Sequence, residues 1–270
     1  MVKGNSGSTY LTYMAQLGAT NLHPQGRRAT ARLIHALDLR RGDRVLEVGC
    51  GTGETMLSLV AHHSVSVDGV DVLPEMLRVA HRRLRLAPHP HRPHLIQCAA
   101  GSSLPLADEG YDRAYTESVL GFQDTAPTRA LLGEIWRVLK GGGLYVANEA
   151  IWKRSAGEAV VAAINAAGLA DFGLRQASER AWSVEEWRQV MTGAGFRVLS
   201  AQRLGEAPTG RVGDFSWRLG LSALLTRAYR LRGHLSPALR RQGARYRRLL
   251  AAHREDGQYV EDRLFVLQKP

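Results

Sequence analysis

Cysteine is scarce: the 270 residues contain two, Cys50 and Cys98. Two thiols cannot form a disulfide framework, and each ends an apolar run, where a free cysteine serves as a small hydrophobe. Long apolar runs are also missing; none approaches the roughly 18 residues of a membrane span. The opening MVKGNSGSTY has no apolar stretch and so lacks the form of a secretory signal. These absences predict a cytoplasmic protein. A hydrophobic fraction of 44% is ample for a core.

Acidic residues are missing from one region in particular. Residues 203–254 hold twelve arginines, no lysine, and only Glu206 and Asp214 as acids, so this segment carries +10 of the chain's +11. The basic character is regional rather than global. Trp217, Leu219, Leu221, Leu224, Leu225 and Tyr229 recur there at helical spacing, and Leu239, Tyr246, Leu249 and Leu250 form a second set beyond Pro237. Two helices with these stripes turned inward are expected, capping the sheet described below. Their arginines would form a solvated surface, recruit an acidic or phosphorylated substrate through forked contacts, or rest on an anionic membrane as a peripheral contact.

Elsewhere the chain alternates. DRVLEVG, VSVDGVDV, HLIQCA, YDRAYTES, LYVANE, FRVLSA and RLFVLQK read as strands. A helical pattern at 26–37 precedes them, and others lie between them at 53–62, 74–84 and 128–140, with Pro74 in the first turn of its helix. Gly141–Gly143 is expected to end the last of these, because glycine accepts the left-handed conformation of a helix C-cap. Ser183 with Glu186 three residues later predicts a capping box. Strands alternating with helices imply βαβ units around a parallel sheet.

In VLEVGCGTG three glycines alternate at 49, 51 and 53 directly after a strand. Glycine lets the backbone approach a ligand with no Cβ in the way. Asp71, at the end of the second strand, could accept both hydroxyls of a ribose. The dinucleotide fingerprint needs its third glycine at position 54; that residue is Glu54, whose charge near a helix N-terminus disfavours a pyrophosphate. A cofactor without phosphates fits better.

VLEVGCGTG resembles the first motif of class I S-adenosylmethionine-dependent methyltransferases, GVDVLPEML the second, LPLADEGYDRAYTESVL the third and fourth, and RVLKGGGLYVANE a later one, with Gly141 in place of proline. The resemblance implies a Rossmann-like, doubly wound α/β sheet of seven strands with the last antiparallel, and S-adenosyl-L-methionine as cofactor. The chain is expected to divide into an N-terminal helical lid (1–40), a cofactor-binding core (41–204), a basic helical insertion over the active site (205–257), which lies outside the resemblance, and a terminal strand of the core (258–270). The resemblance also implies that Gly49, Cys50, Gly51 and Gly53 line the methionine moiety and that Glu47 faces its ammonium group. Asp71 would hold the ribose, with Val72 and Met76 against the adenine. Ala100 replaces a frequent aspartate, leaving Gly101, Ser102 and backbone for the adenine edge; Thr116 completes the cofactor set.

The acceptor site follows the fourth strand. The Asp/Asn-Pro-Pro-Tyr/Phe sequence of nucleic-acid amino methyltransferases is absent there, as is the Pro-Cys pair of pyrimidine C5 enzymes. Glu117-Ser118 stands instead, and resembles the acidic segment of sterol, tocopherol and isoprenoid C-methyltransferases. Glu117 is the catalytic candidate, stabilising a cation or taking a proton, or else simply hydrogen-bonding a neighbouring segment. Tyr10, Tyr13, His23 and Glu149 are substrate or lid candidates, with residues 8–25 expected as a mobile lid or a packed helix. His81, His89, His91 and His94 show no ligand spacing, and no metal is expected. The expected activity is methyl transfer to a small molecule. The alternatives are an RNA methyltransferase, for which the basic charge speaks, and a cofactor-binding protein that transfers no methyl.

Overall fold

The computed structural model describes residues 9–23, 25–86, 93–101, 103–205 and 217–270. Ser102, His89 and His91 lie outside the described residues, as do Glu206 and Asp214. Seven strands form one sheet: β1 (Arg44–Val48), β2 (Ser66–Asp71), β3 (His94–Gln97), β4 (Tyr111–Glu117), β5 (Leu139–Trp152), β6 (Arg197–Arg203) and β7 (Val260–Gln268), in the order β3-β2-β1-β4-β5-β7-β6. Strands β1 to β5 pair in parallel, whereas β7 runs antiparallel to both β5 and β6. The expected doubly wound sheet with an antiparallel last strand is present. Strand order reverses between β1 and β4, the switch point outside whose carboxyl ends such folds bind ligands.

The central strands are buried on both faces, and their period of two sorts side chains between two layers. Leu46 and Val48 of β1 and Ala114 of β4 join one core with α5 (Thr125–Val138) and α7 (Val184–Gly193). Val45 and Tyr115 join the other with α2 (Arg27–Ala36) and α3 (Glu54–His62). Pro74 starts α4 (Pro74–Leu84) as expected, and the capping box at α7 forms, with the Ser183 N–H donating to Glu186 at 2.9 Å.

The glycine run after α5 does not cap that helix. Helix α5 ends in extended backbone at buried Leu139, and Gly141–Gly143 lie inside β5, where the pairing with β4 shifts register. A Cβ on Gly143 would lie 2.8 Å from the Lys140 carbonyl and 3.1 Å from that of Asp112. Glycine is needed here for close backbone approach at a bulge.

Three further helices pack together beside α3 and α4: α1 (Thr9–Gln16) against α4, α8 (Trp217–Leu235) against α3 and α4, and α9 (Pro237–Ala252) against α1 and α8. Pro237 divides the last two as expected, at the first turn of α9 beneath a Ser236 cap. Of the stripe expected to face inward on α8, Tyr229 is buried and Leu219 packs against the core, but most of the rest lies away from that helix's buried face. Its buried residues are Ser222, Thr226, Tyr229 and Gly233, while Trp217, Leu221 and Leu224 are exposed. The reason is Arg83 of α4, fully buried, whose guanidinium donates to Ser222 Oγ at 2.9 Å, Thr226 Oγ1 at 3.1 Å, the Gly18 carbonyl at 3.1 Å and the Thr52 carbonyl, and pairs with Glu54 at 3.1 Å. A buried guanidinium must have acceptors, and hydroxyls supply them where leucines cannot. Helix α9 buries Tyr246 against Tyr10 and Tyr13 of α1, with ring centroids 5.0 and 5.2 Å apart.

Candidate active site

The glycine loop rises from the end of β1 with Gly49, Gly51 and Gly53 all at positive φ (76°, 49° and 73°), a region that side-chain-bearing residues rarely adopt. Its amides turn inward. The N–H groups of Gly49 and Cys50 donate to the Val70 carbonyl, that of Gly53 to Cys50, and that of Gly51 to Asp71 Oδ2 at 2.8 Å. These donors are therefore not directed at a phosphate, and the first turn of α3 already carries Glu54. A Cβ built on Gly51 would meet nothing within 4 Å, so the loop borders open space on that side.

Asp71 is buried, and its other oxygen accepts the Leu73 N–H at 2.8 Å. Burial raises its pKa, partly offset by these backbone donors. Val72 beyond it is exposed, whereas Met76 is buried with Ala15 and Leu73 beneath α1. Ala100 and Gly101 are exposed at the loop after β3. Cys50 is buried in the α2–α3 core.

Register distributes the acidic candidates. Glu47 of β1 lies opposite Tyr115 of β4, and Glu117 opposite Asn148 of β5. All four share one face of the sheet. Glu47 accepts from Tyr115 Oη at 2.7 Å, and burial, followed by the charge of nearby Glu117, pushes its pKa well up. Glu117 is equally enclosed, yet its pKa is lowered. Burial alone would raise it, but His23 at 3.0 Å and the hydroxyls of Thr55 at 2.8 Å and Thr30 at 2.9 Å stabilise the carboxylate more strongly. The donors come from three places: α3, α2 and the segment after α1.

Thr116 and Glu149 point to the opposite face. Glu149, expected near the substrate, is consumed by structure: it accepts from Thr116 Oγ1 and from the backbone N–H groups of Val119, Leu120 and Gly121 at 3.1–3.2 Å. It holds the turn after β4 in place. Tyr10 and Tyr13 pack on α9 and Phe172 rather than over the strand ends. His23 does reach the site, bridging Glu117 and the Asn148 amide, with Nδ1 3.2 Å from Nδ2.

Two polar groups beside this cluster add to it, one on Ser118 and one on Asn148, a residue the motifs do not mark. Asn148 Oδ1 and Ser118 Oγ are buried without a hydrogen-bond partner, and Ser118 has a φ of +56°. Buried polar atoms are normally satisfied, so this pair beside His23 and Glu117 suits a ligand's polar group. Alternation along β5 could have revealed Asn148, because a residue paired with Glu117 must share its face.

The residues fit a cationic, phosphate-free cofactor. Carboxylates from Glu47, Asp71 and Glu117 surround a loop whose amides are occupied, and the bare edge of Gly51 leaves room. Residues 45–143 match the family model described as a methyltransferase domain. The chain is similar to 24-methylenesterol C-methyltransferase 2 of Oryza sativa subsp. japonica, at 32% identity over 131 residues, 48% of this chain and 34% of that protein. It is also similar to the S-adenosyl-L-methionine-dependent Diels-Alderase iccD of Talaromyces variabilis, at 35% identity over 120 residues, 44% of this chain and 40% of that protein. Among solved structures it resembles the [4+2]-cyclase SpnF with a TM-score of 0.69 and 21% identity, over 96% of this chain and 93% of that one. The chain spans 34–58% of the length of the curated relatives it matches. Sheet order, glycine loop and family match agree: the chain carries a class I S-adenosylmethionine-dependent methyltransferase domain.

Proposed function

We propose that this protein transfers a methyl group from S-adenosyl-L-methionine to a small-molecule acceptor. The observation that carries the reading is Glu117, a buried carboxylate kept ionised at the carboxyl edge beside the glycine loop. The cofactor supplies an electrophilic methyl on a positively charged sulfur. Gly49, Cys50, Gly51 and Gly53 give the backbone room beside it, Glu47 faces its ammonium group, and Asp71 receives the ribose hydroxyls. Exposed Val72, Ala100 and Gly101 border the adenine. His23 closes the site from above, and Asn148 and Ser118 offer polar contacts to the acceptor.

The lowered pKa of Glu117 refines its role. A carboxylate below its ordinary range is a weak base but a persistent counter-charge. Glu117 therefore acts mainly by stabilising positive charge that develops on the acceptor, as a carbon acceptor would require, and His23 fixes its orientation. Positioning of the nucleophile supplies much of the remaining acceleration. The similarity to a sterol C-methyltransferase supports an apolar acceptor. The test is transfer of labelled methyl to a panel of isoprenoid alkenes and phenols. Glu117→Gln should lower turnover by about 10²-fold or more with cofactor affinity nearly unchanged; equal turnover would remove Glu117 from the chemistry.

A second reading is favoured by the similarity to a Diels-Alderase. In it the protein keeps the cofactor bound and converts a substrate without consuming it. Product formation with no release of S-adenosylhomocysteine would select this reading over transfer.

A further inference from the structure

The outward face of α8 is apolar. At about 100° per residue, Trp217, Leu221, Leu224, Ala228, Leu231 and Leu235 fall within an arc of about 80°, on the side opposite buried Ser222, Thr226, Tyr229 and Gly233. Trp217 is 59% exposed, Leu224 54%, Leu231 60% and Leu235 73%. Over 19 residues the stripe runs about 28 Å. Exposed Arg227 and Arg232 flank it on either side. Helix α9 exposes Arg240, Arg241, Arg245, Arg247, Arg248 and Leu250, and neither helix contains an acid. Helix α8 buries its other face on Arg83, Glu54 and Gly18, and α9 on Tyr13 of α1, so their open faces are the ones left for a partner.

We infer that α8 and α9 form a docking surface for an anionic lipid bilayer. Apolar side chains in a narrow stripe, arginines at its borders and an absence of acids are the attributes of a helix lying in the membrane interface. The leucines enter the acyl boundary, Trp217 sits at the headgroup level, and the arginines bury their stems while their guanidinium groups meet lipid phosphates. Among the described residues no helix is long and apolar enough to cross a membrane, so the contact is peripheral. A second copy of the chain fits poorly, because two such faces would set arginine against arginine. The inference does not depend on what the site transfers.

Cosedimentation of the full chain with vesicles tests it. Binding is expected to vesicles of phosphatidylcholine mixed with phosphatidylglycerol, with little to phosphatidylcholine alone, and it should fall as salt rises. Combining Leu224→Ser, Leu231→Ser and Leu235→Ser should lower partitioning at least about tenfold. Reversing Arg227 and Arg232 to Glu should lower it by about fivefold for each arginine in contact. These exposed changes should leave cofactor affinity and the circular dichroism spectrum as in the wild type, which separates lost docking from lost folding. The inference is overturned if the wild type binds neither vesicle, if the leucine variant binds as well as the wild type, or if the stripe is covered in a dimer that the leucine variant abolishes.

Discussion

Glu47 and Glu117 are carboxylates on one face of neighbouring strands, and their surroundings push them in opposite directions. Glu47 has one phenol and a backbone donor against full burial, so the neutral form is favoured. Glu117 has an imidazole and two hydroxyls, so the charged form is favoured. For Glu47 the folded pKa lies above the unfolded one, and its contribution to stability is present at low pH and lost as pH rises through the folded value. Glu47→Gln mimics the protonated form. The variant without cofactor should therefore melt at a higher temperature than wild type at pH 8, with the difference vanishing near pH 4. A variant that melts lower at both would show that the charged form is the stable one. Glu117 behaves oppositely: its stabilising contribution is present above the unfolded value and fades as pH falls through the folded one. Both acids were legible in the sequence from the motifs that carry the methyltransferase resemblance, because a carboxylate at a strand end is by itself more often only solvated. Glu149 points to the face opposite Glu117, because adjacent strand residues alternate, and Asn148, one position earlier, shares the face of Glu117.

Among elements, the segment that follows α1 is tied to α2, α3, α4 and the sheet by hydrogen bonds. Thr52 Oγ1 donates to the Ala19 carbonyl at 2.7 Å, Arg83 reaches Gly18, and His23 reaches Glu117 and Asn148. Residues 9–23 would have to part from these contacts to admit a ligand and regain them afterwards, as lids do. Hydrogen exchange in this segment should slow when S-adenosylmethionine is added; unchanged exchange would make α1 a fixed packing helix. Gly18 is the tightest point. It has a φ of +57°, and a Cβ there would lie 2.8 Å from the Tyr229 ring. Gly18→Ala should cost about 1–2 kcal/mol for the left-handed backbone alone, more with the clash, and should loosen α8; a melting temperature equal to wild type would contradict this. The existence of α8 and α9 was legible from spacing and from Pro237, but their orientation was not. Periodicity marks an apolar stripe, and the side that is buried was decided by Arg83, a distant residue whose need for hydroxyl acceptors no local pattern displays.

Across the whole molecule, the sheet order puts β1 and β4 side by side at the reversal, and so brings Gly49–Gly53, Asp71 and Glu117 to one edge although they are far apart in sequence. Alternating strands and helices anticipated a parallel sheet, and the methyltransferase resemblance its seven strands and the gathering of these residues. The glycine loop was legible from its spacing, which together with Glu54 disfavours a pyrophosphate, and its inward amides agree. The start of β5 was not, because a glycine run after a helix suits both a cap and a bulge, and only the neighbouring backbone of Asp112 decides between them. This edge is expected to hold S-adenosylmethionine through Asp71. Titration calorimetry of wild type and Asp71→Ala tests it directly. One cofactor should bind per chain, and the variant should lose about 1.5–3 kcal/mol of binding free energy, the worth of hydrogen bonds to a charged group. Absence of binding by the wild type, or equal affinity in the variant, would contradict it.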